Sequence, residues 1–213
     1  MNIVLFGPPG AGKGTQSQYF SKKLNYTQIS TGDLLRNEIK KNTDLGKKIL
    51  SRIDIGEFVD DEIVNSLIEK IVSNKNNNNK LIFDGYPRNI SQAENLDYIM
   101  SKYNQSIGAI IYLDVTKKII EKRILGRIVC EKCNLTLNEF EDKGEIQNHS
   151  CGKEYLIKRK DDNLETIMKR YDMFIMETNP LLDYYAKKPS FYKVDATVKI
   201  GEITAKIEEI VNA

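Results

Sequence analysis

The chain of 213 residues has only three cysteines, Cys130, Cys133 and Cys151. An odd count fits poorly with a secreted disulfide framework. No apolar run approaches the roughly 20 residues a membrane span needs. No basic segment followed by a long apolar stretch reads as a secretory signal. Charge of one sign is also missing: 32 Lys and Arg stand against 30 Asp and Glu, a net +2, and the two signs are mixed along the chain. That balance implies no broad polybasic face, and nucleic acid is not favoured as a partner. There is no internal repeat. These absences point to a cytoplasmic protein with neither membrane nor nucleic acid as partner. At this length the chain can bury a substantial core, and one main domain with an insertion or two is expected.

What is present is concentrated near the start. The apolar run Ile3-Val4-Leu5-Phe6 reads as a buried strand. Directly after it comes Gly7-Pro8-Pro9-Gly10-Ala11-Gly12-Lys13-Gly14-Thr15, and then a segment with Gln16, Phe20 and Leu24 at near-helical spacing. A Gly-rich turn from strand to helix aims successive backbone N–H groups and the positive end of a helix dipole at one point, where a phosphate belongs. Lys13 adds a mobile positive charge. The common phosphate-loop pattern puts Ser or Thr directly after the Lys to touch Mg²⁺. This chain has Gly14 there, so Thr15 falls one place late for a direct metal ligand.

Further along, Tyr26–Ser30 reads as a second strand and Ser30-Thr31-Gly32-Asp33 as a helix start. A charged segment through Arg52, a turn at Gly56 and a helical pattern from Asp61 to Ile71 suggest a small helical insertion. The run 74–79 reads as a solvated tip. Lys80–Asp84 is a buried strand ending in a carboxylate, so Asp84 is expected to face the same crevice as the phosphate loop. Then come a helix 90–100, a strand 108–115 and a helix from Lys117 towards Arg127. After a polar stretch between Arg127 and Arg159, the pattern closes with a long helix from Asp161 to about Ala186, a strand 191–194 and a helix 200–211. Strands alternating with helices predict a doubly wound parallel α/β sheet.

Phosphoryl transfer asks for in-line placement, charge neutralisation and exclusion of water. Arg36, Arg88, Arg123, Arg127, Arg159 and Arg170 can each fork two N–H donors to phosphate, and beside a phosphate loop they read as a clamp.

The chain resembles the adenylate kinases of the long-lid bacterial type over essentially its whole length. The resemblance is carried by Gly7 to Thr15, Ser30-Thr31-Gly32-Asp33-Leu34-Leu35-Arg36, Asp84-Gly85-Tyr86-Pro87-Arg88 with Gln92, Gly126-Arg127, and Arg159-Lys160-Asp161-Asp162-Asn163 with Arg170. It implies a P-loop nucleoside monophosphate kinase fold. The core would comprise 1–29, 60–126 and 160–213, with a mobile AMP-binding insertion at 30–59 and a mobile lid at 127–159. It also implies a monomer that moves the γ-phosphoryl group of Mg-ATP to AMP, giving two ADP.

By the same resemblance Gly10, Ala11, Gly12, Lys13, Gly14 and Thr15 would hold the ATP phosphates, with Lys13 following the transferred group. Arg123 and Arg127 would contact ATP from the lid side, and Thr136, Leu137 and Thr197 would border that site. Thr31, Arg36, Glu57, Val59, Gly85, Arg88 and Gln92 would form the AMP site. Arg159 and Arg170 would meet the transferring phosphates, and Asp84 would hold Mg²⁺ through water. Thr31 with Gln92 favours adenine over a pyrimidine base. Tyr86 stands where the family usually has Phe, Asp60 where it often has Pro, and Leu137 where an aromatic or polar residue is usual.

The spacing C-x2-C lets two thiolates grip one ion, and Cys151, eighteen residues past Cys133, supplies a third. The resemblance implies Glu154 as fourth ligand of a structural Zn²⁺, since the family has Cys or a carboxylate there. His149 is the rival donor, and three free thiols are the bland alternative.

Overall fold

A computed structural model describes residues 1–55, 57–74, 79–159 and 161–213. The expected turn at Gly56 and most of the 74–79 tip lie outside the described residues.

Strand β1 (Asn2–Phe6) is buried along its whole length, because both of its faces are covered. Ile3 and Leu5 join one apolar cluster while Val4 and Phe6 join another, the two-faced burial that a central parallel strand requires. Helix α1 (Lys13–Leu24), strand β2 (Thr27–Ser30), helices α2 (Thr31–Lys40), α3 (Asp44–Asp54) and α4 (Asp61–Val72), and strand β3 (Leu81–Asp84) follow. Next come α5 (Ile90–Lys102), β4 (Ile107–Asp114) and α6 (Lys117–Leu125). A second sheet is built from β5 (Arg127–Cys130), β6 (Thr136–Asn138) and β7 (Leu156–Ile157), with the short helix α7 (Lys143–Gln147) between β6 and β7. The chain ends with α8 (Leu164–Met173), α9 (Leu181–Tyr185), β8 (Phe191–Asp195) and α10 (Ile200–Asn212).

The main sheet runs β2-β3-β1-β4-β8 with all pairings parallel, as the alternation of strands and helices predicted. Chain order reverses on the two sides of β1, and such a switch point leaves a crevice at the carboxyl ends of the strands. The phosphate loop after β1 and Asp84 at the end of β3 both lie there. The smaller sheet, β6-β5-β7, is antiparallel.

Local chemistry sets the helix starts around the crevice. Ser30 Oγ accepts the N–H of Asp33 at the head of α2, Asn89 Oδ1 accepts that of Gln92 at α5, and Asn163 Oδ1 accepts that of Thr166 at α8. The long helix expected over 161–186 is corrected. Helix α8 stops at Met173, a π turn spans Phe174–Thr178, and α9 restarts after Pro180. Proline has no N–H to continue the ladder and its ring crowds the preceding turn. The N–H of Asn179 reaches back to Phe174 O at 2.8 Å, the wider π spacing.

Candidate active site

A cavity of ≈ 370 Å³ opens at the carboxyl ends of the strands. The loop from Gly7 to Thr15 forms one wall. At Gly7 (φ +148°) an added Cβ would lie 2.7 Å from Leu113 O, and at Gly10 (φ +78°) 2.9 Å from Ile124 Cγ1. A side chain at either position would push the loop off β4 or α6. Gly12, the N-cap of α1, offers no side chain to the first-turn N–H groups, and Gly12 to Thr15 line the cavity, an arrangement suited to an anion. Lys13 Nζ donates to Gly7 O at 2.8 Å and Pro8 O at 3.0 Å. Enclosure away from water lowers its pKa to about 8, although the Asp84 carboxylate pulls the other way. Asp84 itself is pushed up by burial, against Lys13 and the amide of Gln28, which donates to it at 3.1 Å.

The opposite wall joins α2 to the loop after β3. Thr31 Oγ1 donates to Gly85 O at 2.8 Å and accepts from Arg88 Nη2 at 3.2 Å, while Arg88 Nε donates to Gly85 O at 2.9 Å. Burial, reinforced by repulsion from Arg170 and Arg36, brings Arg88 down to about 10. Arg159 is lowered to about 10 by burial and by Arg127 and Arg36, and burial lowers Arg123 as well. Three further arginines carry carboxylates: Arg36 meets Asp33 at 2.5 Å, Arg170 meets Asp161 at 2.6 Å, and Arg127 forks onto Asp162, with Nε at 2.7 Å from Oδ2. Cations gathered this closely and partly withdrawn from water are suited to meet anionic charge.

Gly10 to Thr15, Thr31, Arg36, Glu57, Val59, Asp84, Gly85, Arg88, Arg123, Arg127, Thr136, Leu137, Arg159 and Arg170 all line this cavity. Two expected members do not. Gln92 is buried behind the wall: its Oε1 accepts the N–H of Arg88 at 2.8 Å and its Nε2 donates to Asp61 at 2.6 Å. It holds the arginine loop, with both ends of its amide already partnered. Thr197 is exposed and its N–H donates to Asp195 Oδ1, while the neighbouring Val198, Lys199 and Ile200 line the cavity instead. Sequence reasoning missed Gln28, Phe58, Asn138, Phe174 and Thr178, which also line it. Nothing local marks them. Only the position of Phe58 between Glu57 and Val59 pointed there.

Beside the second sheet Cys130, Cys133, His149 and Cys151 converge, each offering one ligand atom within 4.8 Å of the others. Cys133 Sγ and His149 Nε2 are 3.8 Å apart, close to the edge of about 3.5–4 Å that Zn–S and Zn–N bonds imply for a tetrahedron. The donor set therefore suits zinc. Glu154 does not join this group, a correction to the expected fourth ligand. Gly152 turns the chain at φ +96°, and the Glu154 carboxylate folds over it, so that a Cβ on Gly152 would meet Oε1 at 2.4 Å.

Comparison with known proteins is consistent across the whole chain. The family model described as Adenylate kinase matches residues 5–190. A Pelagibacter ubique protein named adenylate kinase is 54% identical over 210 residues, 99% of each chain. An adenylate kinase of Mycoplasma mycoides is 41% identical over 198 residues, 92% of each. One of Caldanaerobacter subterraneus is 39% identical over 211 residues, 98% of this chain and 95% of the relative.

Proposed function

The chain belongs to the adenylate kinase family, which transfers the γ-phosphoryl group of ATP to AMP, and on that premise we propose how its residues divide the work. The observation that carries the assignment is the convergence of the phosphate loop and six arginines from separate segments on one cavity. In this reading Gly10 to Thr15 cradle the ATP phosphates, with Arg123 and Arg127 over them and Thr136 and Leu137 beside the base. Thr31, Arg36, Arg88 and the backbone at Glu57, Val59 and Gly85 hold AMP. Arg159 and Arg170 lie over the transferring group, and Lys13 follows it.

Transfer itself needs the two nucleotides in line and the equatorial charge neutralised. Arg88, Arg123 and Arg159 supply that charge already partly desolvated, where it counts most. Enclosure by the two insertions, 30–59 and 127–159, around the core 1–29, 60–126 and 160–213 keeps water from accepting the phosphoryl group. Adenylate kinases use Mg²⁺ with ATP. Asp84, half-buried at the end of β3 where it lines the cavity, is the carboxylate suited to hold it, and when bound the ion would offset charge on the phosphate oxygens.

Zinc would be held by Cys130, Cys133, Cys151 and His149, with Glu154 as the competing donor, and would serve structure only. The chain is read as acting as a monomer. Among the described residues no helix is long and apolar enough to cross a membrane. Clustered reduced thiols favour a cytoplasmic setting. A coupled assay with Mg-ATP and each nucleoside monophosphate in turn tests the base preference. AMP should turn over fastest, and faster use of UMP or CMP would sink the assignment.

A further inference from the structure

We propose that Phe58 is a positioning residue for Arg88, its ring holding the guanidinium so that the free edge points into the cavity at the acceptor nucleotide. The inference rests on the reading of Arg88 as an AMP-site cation. The Arg88 Cζ lies 4.9 Å from the centre of the Phe58 ring, and both residues line the cavity. A guanidinium has five N–H donors in one plane. Nε and Nη2 spend two of them on Gly85 O and Thr31 Oγ1. An aromatic ring takes the face of the plane and leaves the in-plane donors free for phosphate.

The contact matters because this cation is poorly solvated and sits among others of its sign. The electron-rich ring face stabilises the charge without competing for the donors that substrate must use. A carboxylate in the same place would neutralise Arg88 and repel the nucleotide.

The ring is itself held. Glu57 N–H bonds Arg52 O at 3.0 Å and its carboxylate meets Arg52 at 2.5 Å, while Asp60 meets Lys48 at 2.6 Å, so the residues on both sides are pinned to α3. Val59 beside it is buried. Arg88 follows β3, whereas Phe58 belongs to the segment after α3. The contact therefore ties the orientation of a core arginine to the placement of the inserted helices.

The test is steady-state kinetics on the full chain for wild type, F58L, F58Y, F58 replaced by pentafluorophenylalanine, R88A and the F58L/R88A double variant. Melting temperatures are taken alongside. F58L should lower kcat/KM for AMP roughly tenfold, within the range of desolvated cation–π contacts, and leave KM for ATP unchanged. F58Y should keep near wild-type values. Pentafluorophenylalanine keeps the shape but withdraws charge from the ring face, and should behave like F58L even if F58L also folds less well. In the R88A background F58L should add no further loss. The inference is overturned if F58L or the fluorinated variant stays within twofold of wild type, or if F58L costs as much without Arg88 as with it. An R88A variant with wild-type AMP turnover would remove the Arg88 assignment and this inference together, whereas a crippled R88A beside an unaffected F58L removes this inference alone.

Discussion

Enclosure of the Lys13 ammonium brings its pKa from the ordinary 10.5 to about 8, and the sign of the consequence follows directly. Between those two values the unfolded chain binds a proton that the folded chain has released, so this group's contribution to stability rises with pH across that window. Below pH 8 the charge is kept at a cost. Bound ATP would reverse this, because phosphate oxygens stabilise the ammonium. Calorimetry at pH 8.5 in two buffers of different ionisation enthalpy should therefore record proton uptake when ATP binds, and Lys13→Met should abolish it. Buffer-independent heats in the wild type would contradict the role of Lys13. Asp84 works in the other direction: burial raises its pKa, and a carboxylate kept for a cation loses its purpose when neutral. Asp84→Asn should lower kcat in a way that depends on the concentration and identity of the divalent metal. A loss indifferent to metal would remove Asp84 from that role.

At the scale of elements, the small sheet β6-β5-β7 has short strands and few apolar residues of its own. Ile128, Val129 and Leu137 are buried there, too few for an independent core. A metal in the Cys130/Cys133/His149/Cys151 group would supply the missing folding energy. The cysteine turn also touches the core, since Gln18 Nε2 of α1 donates to Asn134 O at 2.6 Å. Chelation should lower the melting temperature by roughly 5–10 °C, the shift that about 2–3 kcal/mol gives a chain of this size. Elemental analysis should find one zinc per chain, lost in Cys133→Ser. Loss in His149→Ala with retention in Glu154→Ala would agree with the observed geometry, and the reverse pattern would restore Glu154. Unchanged melting of a verified metal-free sample would reject the structural role.

For the whole molecule, the phosphate-loop lysine and the arginines of the cavity come from elements far apart in the chain: Lys13 from α1, Arg36 from α2, Arg88 from the loop after β3, Arg123 from α6, Arg127 from β5, and Arg159 and Arg170 from around α8. Neither nucleotide alone satisfies them all. Enclosure complete enough for transfer should need both, so hydrolysis of ATP without AMP should be slower than transfer by on the order of 10²-fold or more, the penalty for misplaced reacting groups. Measuring phosphate release with and without AMP checks this. Comparable rates would mean that water reaches the transferring group and that enclosure is not the safeguard.

The amino-acid sequence determined what short-range physics controls. The phosphate loop was legible because glycine alone fits the dihedrals and close approaches at Gly7 and Gly10. The sheet was legible because strands buried on both faces must be continuously apolar, as in Ile3 to Phe6. The arginines were legible as charges that a phosphate loop would employ. Tertiary structure decided what depends on where distant segments meet. Gln92 faces Asp61 and the Arg88 backbone, Val198 to Ile200 line the cavity in place of Thr197, Phe58 lies on Arg88, and His149 stands among the cysteines where Glu154 was expected. It also set the π turn ahead of Pro180 within the expected long helix. Backbone preference extends over a few residues, whereas the direction of a side chain's polar end is settled by partners that only the folded chain brings within reach.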